Sequence, residues 1–363
     1  MRILHVVTNA DLGGAPRVVT ELAKRAVAAG HVCGAASMPQ GPFWEQLDER
    51  VERLPLFQLR REIDPLHDLA AYFELRRLFR TWRPDIIHLH SSKAGVLGRL
   101  AAGRLSGRVV YTIHGFDTIL KSHRIFLPLE RLLSGRCGAI VPVSDYDKRN
   151  LAASGIVGRI ELIRNGASDR LTTEPKKAEA AERLRAAKAS GALVVLSIAR
   201  LAPPKRFDLF LETARAFSSA AGRFFWIGNR EAVDPGGLPA NVEVLGELAE
   251  AGDYIKLADV FLLLSDYEGL PMSIIEALSS GRPVVASRVG GIGELVDAGC
   301  GRLVENEAPA VIDAIRGMLR DGPWREELGK AARRKYDDEA GAEAMARRYQ
   351  DLYAKLVTLS PRA

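Results

Sequence analysis

Short runs of β-branched and other apolar residues alternate with helical patterns along this chain, and the alternation runs through twice. In the first half, strand-like residues 3–8 lead into a helical pattern over 15–29, then a strand over 32–37, with further strands at 85–89, 109–113 and 139–143. The pattern restarts with strands at 192–199, 224–227, 242–245, 260–264 and 283–287. A strand followed by a helix and another strand favours a crossover connection and parallel pairing. The simplest reading is α/β: two Rossmann-like sheets in series, with ligand expected beyond the strand ends in an interdomain cleft. Asn165-Gly166 and the polar stretch 172–177 carry turn and linker signals, so the hinge is placed near 165–180. A last helical pattern over 340–356 puts Met345, Tyr349, Leu352, Tyr353 and Leu356 on one face.

Length and composition agree with two cores. The chain has 363 residues, 47% hydrophobic and 26% charged, which excludes a disordered or collagen-like polymer. Its longest apolar runs, such as 260–264, fall far short of the roughly 18 residues a membrane span needs. Thr8, Asn9 and Asp11 interrupt the N-terminal apolar run before a signal-peptide core forms, so a cytoplasmic location is expected. Cys33, Cys137 and Cys300 have no metal or disulfide spacing and read as reduced, buried thiols. Residues 1–175 hold 25 Lys and Arg against 18 Asp and Glu, while the remainder is almost balanced. No base-reading motif accompanies that excess, so nucleic acid is not expected; an anionic membrane surface or a phosphorylated acceptor fits as well.

The most informative segment is 258–278. A buried strand ends at Ser265, Gly269-Leu270-Pro271 forms a tight turn, and a helix follows with Pro271 in its first turn. Free N–H groups at such a start bind phosphate, and Glu276, about one turn inside, can accept two hydrogen bonds from a ribose diol. Glu268 on the loop and Glu276 on the helix enclose seven residues, so they could hold the sugar and the ribose of one nucleotide-sugar. The plain alternative is a solvated loop acid and a helix-surface acid.

In this context the chain resembles the retaining glycosyltransferases of family 4, whose GT-B fold carries a Glu-x7-Glu motif. Residues 197–206 are similar to the family's Gly-Arg-Leu…Lys-Gly stretch, with Ala199 and Arg206 in place of its two glycines, and 283–294 match a further segment. The resemblance implies a donor-side domain over 167–337 and an acceptor-side domain over 1–166, with a helix over 338–357 crossing back onto the latter. It implies donor contacts at Gly14, Arg200, Lys205, Glu268, Gly269, Leu270, Pro271 and Glu276, with Glu268, His114, Arg200 and Lys205 serving catalysis. Arg200 and Lys205, between a strand and a helix, could neutralise a leaving nucleoside diphosphate; otherwise they are surface cations. Gly13 and Gly14 let backbone approach a diphosphate or acceptor. His114 ends a strand where the family brings a His to the transferred sugar, to donate a hydrogen bond or carry charge. His88, His90 and Lys93 could line the acceptor side, or cap and pack. The family works without a metal or other cofactor, and Asp145-Tyr146-Asp147 reads as helix capping.

The expected reaction is transfer from a UDP-linked sugar with retention of configuration, in envelope, capsule or exopolysaccharide synthesis. A nucleotide-sugar epimerase, a sugar-nucleotide sensor and a transferase acting on a soluble small molecule are the alternatives. Residues 121–136 mix Lys121, Arg124, Arg131 and Arg136 with Ile125, Phe126, Leu127, Leu129, Leu132 and Leu133, interrupted by Pro128. Read as a helix, this segment either packs on the first domain or lies on the inner membrane face, near a lipid-linked acceptor.

Overall fold

The computed structural model describes residues 1–122, 124–228 and 237–360. Among these, twelve strands form two six-stranded sheets, each wholly parallel. The chain divides into a unit of Met1–Gly166 with Ala342–Ala363 and a unit of Ala167–Gly341.

The first sheet contains β1 (Arg2–Val6), β2 (Val32–Ser37), β3 (Glu52–Pro55), β4 (Ile86–Leu89), β5 (Val109–Ile113) and β6 (Ala139–Pro142), in the order β3-β2-β1-β4-β5-β6. The second contains β7 (Leu193–Ile198), β8 (Gly222–Ile227), β9 (Val242–Val244), β10 (Val260–Leu263), β11 (Val284–Ser287) and β12 (Gly301–Val304), in the order β12-β11-β10-β7-β8-β9. Counted from its own first strand, each has the doubly wound order, which reverses beside that strand. Both sheets are covered on two faces, so β4, β5, β10 and β11 are buried throughout.

Two strands, β3 and β12, are additional to those read from the sequence. Both lie at sheet edges, and β3 is largely exposed. The last helix, Ala342–Leu359, begins after a π-helical turn over Tyr336–Ala340. It belongs to the first unit, where Glu343 pairs with Arg25 at 2.7 Å and Arg108 donates to the Ser360 carbonyl at 2.7 Å.

Residues 121–136 do not form one amphipathic helix. The chain makes a π-helical turn over Thr118–Ser122, a 3-10 turn over Arg124–Phe126 and a helix of only seven residues, Leu127–Leu133. Pro128 can occupy a first turn but cannot continue a helix from before it, which explains the break. Leu133 is buried, and Glu130 is held inside by Arg99 at 2.6 Å. Ile125 and Leu132 remain exposed, and His123 lies outside the described residues.

Candidate active site

In the second unit, strand order reverses between β7 and β10, and the loops leaving these strands are tied together. Lys205 and Ser265 form an antiparallel bridge, Arg206 N–H donates to the Leu264 carbonyl at 3.0 Å, and Asp266 N–H donates to Pro204 at 2.9 Å. The side chains converge as well. Glu268 Oε1 accepts from Ser265 Oγ at 2.7 Å and from the Lys205 ammonium in a close ion pair. Beneath them Ser265 N–H donates to Ser287 Oγ at 2.9 Å, Ser287 Oγ donates to Asn306 Oδ1 at 2.5 Å, and Asn306 Nδ2 donates to the Ser265 carbonyl at 2.9 Å. Arg200 is exposed and makes no hydrogen bond or ion pair among the described residues. A fixed acid, a partnered cation and a free cation thus share one end of the sheet.

The loop after β11 presses on this acid. Gly291 N–H donates to the Gly269 carbonyl at 3.1 Å. Gly290 has φ +55°, and a Cβ there would stand 1.8 Å from the Glu268 carbonyl oxygen. Gly290→Ala should therefore push the Glu268 loop away, lowering stability by about 1–3 kcal/mol and activity further. Thermal unfolding and initial rates of the same preparation check both; wild-type rates would mean that the loop tolerates displacement.

Pro271 is extended at the N-cap position, one residue outside the helix Met272–Ser279 rather than in its first turn. Glu276 is not a helix-surface acid; it is 7% exposed. The missing side chain of Gly252 makes room for its carboxylate, which a Cβ would approach to 2.8 Å. Arg170 lies 3.5 Å from Glu276 Oε1, 2.8 Å from Glu250 and 2.9 Å from Asp253. Burial works against the Arg170 charge, but the attraction of Glu276, Glu250 and Asp253 prevails and raises its pKa. Neither Arg170 nor Asn306 lies in a segment whose pattern points to a site.

In the first unit, Gly13 and Gly14 are exposed where the helix Gly14–Ala28 begins after β1. His90 is buried, not surface-lining: its Nε2 meets His5 Nδ1 at 3.0 Å and its Nδ1 meets His114 Nε2 at 3.3 Å. His88 is also buried, bonded to Thr112 Oγ1 at 2.7 Å and to Tyr353 Oη of the last helix at 2.6 Å. His5, His88 and His90 are the one group with metal-ligand spacing among the described residues, and these hydrogen bonds already engage them. His114 is partly exposed, and burial of its ring pushes its pKa down to about 4. At neutral pH the ring is uncharged, and its Nδ1 is buried without a partner in the protein. Lys93 is committed to the Glu62 carbonyl and to Asp68 Oδ1 at 2.5 Å.

Ser144 caps the helix Asp145–Ala153 by accepting from Asp147 N–H, and Asp147 takes the Ser144 hydroxyl at 2.8 Å and Phe116 N–H at 2.8 Å. Asp145 pairs with Arg164. Both carboxylates of the Asp-x-Asp tripeptide serve the local structure.

The chain is 29% identical over 304 residues to the UDP-Gal:alpha-D-GlcNAc-diphosphoundecaprenol alpha-1,3-galactosyltransferase of Escherichia coli, covering 77% of this chain and 78% of that one. It is 25% identical over 321 residues to the putative glycosyltransferase EpsD of Bacillus subtilis (strain 168), covering 81% and 82%. Among solved structures, Anabaena HepE in complex with UDP-glucose superposes with a TM-score of 0.82 at 20% identity, over 98% of this chain and all of that one. Residues 12–170 match the family described as Glycosyltransferase Family 4, and residues 192–321 match Glycosyl transferases group 1. The chain is a glycosyltransferase of GT-B fold, built from a family 4 domain and a group 1 domain.

Proposed function

We propose that the chain transfers a sugar from a UDP-linked donor to a lipid-linked acceptor, with retention of anomeric configuration, in the synthesis of a cell-envelope polysaccharide. The observation that carries this reading is the grouping of Glu268, Ser265 and Lys205 where the second sheet reverses, with Arg200 exposed beside them. The donor's named chemistry comes from the galactosyltransferase relative and from HepE; the lipid diphosphate acceptor comes from the former.

In this reading the second unit holds the donor. Arg200 supplies a cation to the diphosphate, and Lys205 leaves its pair with Glu268 to supply another. Glu268, released from Lys205 but still bonded to Ser265, accepts from the hydroxyls of the sugar. Glu276, steadied by Arg170, accepts from the ribose. As the glycosidic bond breaks, negative charge grows on the departing phosphate, and the two cations stabilise it. The acceptor hydroxyl enters on the same face and gives its proton to the departing phosphate oxygen. The first unit holds the acceptor, with Gly13 and Gly14 presenting bare backbone and His114 the edge of an uncharged ring. No protein side chain forms a covalent bond to the sugar.

The test is proton NMR of the first product made from UDP-galactose or UDP-glucose and an N-acetylglucosaminyl-diphospho-lipid, with and without chelator. A product keeping the donor's configuration, formed equally in chelator, supports the proposal. An inverted anomer rules out retention, and a donor epimerised without transfer favours the epimerase.

A further inference from the structure

Residues 57–80 of the first unit carry a surface that neither the fold nor the transfer site uses. The helix Pro65–Trp82 buries Ala71, Leu75, Phe79 and Trp82. Its opposite face presents Leu66, Leu69 and Phe73, which are 81%, 56% and 58% exposed, followed by Arg76, Arg77 and Arg80. The loop before it adds Phe57 at 63% and Ile63 at 64%, with Arg60 and Arg61 exposed between them. Large apolar side chains gathered on one exposed face mark an interaction surface rather than ordinary surface scatter.

The charges say what covers it. Asp64 caps the helix by accepting from Leu66 and His67 N–H, Asp68 binds Lys93, and Glu74 accepts from Phe57 and Gln58 N–H at 2.9 and 3.0 Å. Glu62 is thus the only acid of this segment whose carboxylate has no such partner among the described residues. Arg60, Arg61, Arg77 and Arg80 make no ion pair among those residues, and Arg76 reaches only the Tyr72 hydroxyl. The surface is therefore apolar in its middle and cationic around it. A second copy of the chain would bring those arginines against their own kind. A bilayer offers apolar depth and anionic headgroups together.

We propose that residues 57–80 dock the protein on an anionic membrane, with Leu66, Leu69 and Phe73 entering the acyl boundary and the arginines meeting the headgroups. This surface replaces the 121–136 segment, whose helix is too short and too committed to the core to serve. It deepens the lipid-linked acceptor reading, because a protein held at the bilayer can reach an acceptor anchored there. Docking itself requires neither donor nor transfer.

The experiment is co-sedimentation with phosphatidylcholine vesicles, with and without phosphatidylglycerol, at low and high salt and without donor. The wild-type chain should pellet with the anionic vesicles and less so in high salt. Replacing Arg60, Arg61, Arg76 and Arg77 by Glu should lower partitioning on the order of a thousandfold. The triple variant Leu66→Ser, Leu69→Ser, Phe73→Ser should also detach, whereas Ile125→Ser with Leu132→Ser should not. Calorimetry with UDP and thermal unfolding on the same preparations separates loss of docking from loss of fold or of donor binding. Absence of wild-type binding at low salt, or equal binding by all variants, overturns the proposal. So does a dimer in analytical ultracentrifugation that the triple variant breaks, since the surface would then join two copies.

Discussion

Glu268→Gln should lower turnover by about a hundred- to a thousandfold while leaving affinity for UDP intact or higher. Glutamine keeps the shape of the side chain and can still accept from Ser265 Oγ. It loses the negative charge that pairs with Lys205. Lys205 then faces the diphosphate without first leaving a partner, so ground-state binding does not suffer. Stabilisation of positive charge developing on the sugar does. Steady-state rates together with calorimetry separate these effects, and a parallel loss of rate and UDP affinity would instead place Glu268 in ordinary binding. Lys205→Met gives the complementary result, with weaker diphosphate binding and an acid left half-buried without its cation.

Arg170→Ala should be the most destabilising single change near the site, by about 3–5 kcal/mol. The guanidinium stands among Glu250, Asp253 and Glu276, and removing it takes away the cation that the three carboxylates share. Asp253 keeps only the Thr173 hydroxyl, which donates at 2.6 Å, among the partners seen in this cluster. Urea denaturation followed by tryptophan fluorescence reports the loss directly, since Trp226 is buried in the same unit. Arg170→Lys should recover part of it, because an ammonium keeps the charge but not the two-armed reach. Stability of Arg170→Ala within about 0.5 kcal/mol of wild type would mean that the cluster contributes little.

The central strands were legible because each is a short apolar run bounded by turn residues. β2 and β5 occupy the residues their patterns indicate. β3 was not, since Glu52, Arg53 and Pro55 at an exposed edge have no buried face to impose alternation. At the site, Glu268 and Lys205 stood out through local motifs. Their mutual ion pair did not, because they lie 63 positions apart and meet only through the reversal of strand order between β7 and β10. Arg170 had no local signal at all; its three acids come from the start of the 3-10 helix Ala251–Leu257 and from the helix Met272–Ser279, which only the fold brings together. The helical reading of 121–136 weighed apolar content correctly, but Pro128 and the inward Glu130 decided the local geometry.

The imidazoles of His5, His90 and His114 share two hydrogen bonds, and this has a consequence for protons. Each neutral ring carries one N–H, so His90 must donate through one nitrogen and accept through the other. Only two arrangements satisfy both bonds. In one, His5 Nδ1, His90 Nδ1 and His114 Nδ1 all bear hydrogen; in the other, all three hydrogens sit on Nε2. His5 Nε2 and His114 Nδ1, the two free ends, have no partner in the protein. The three rings therefore switch tautomer together or not at all. In the first arrangement His114 Nδ1 holds a buried N–H and His5 Nε2 a bare lone pair, whereas in the second the N–H is buried at His5 and the lone pair at His114. The position of the proton on His114 is thus fixed by that on His5, two strands away in the sheet.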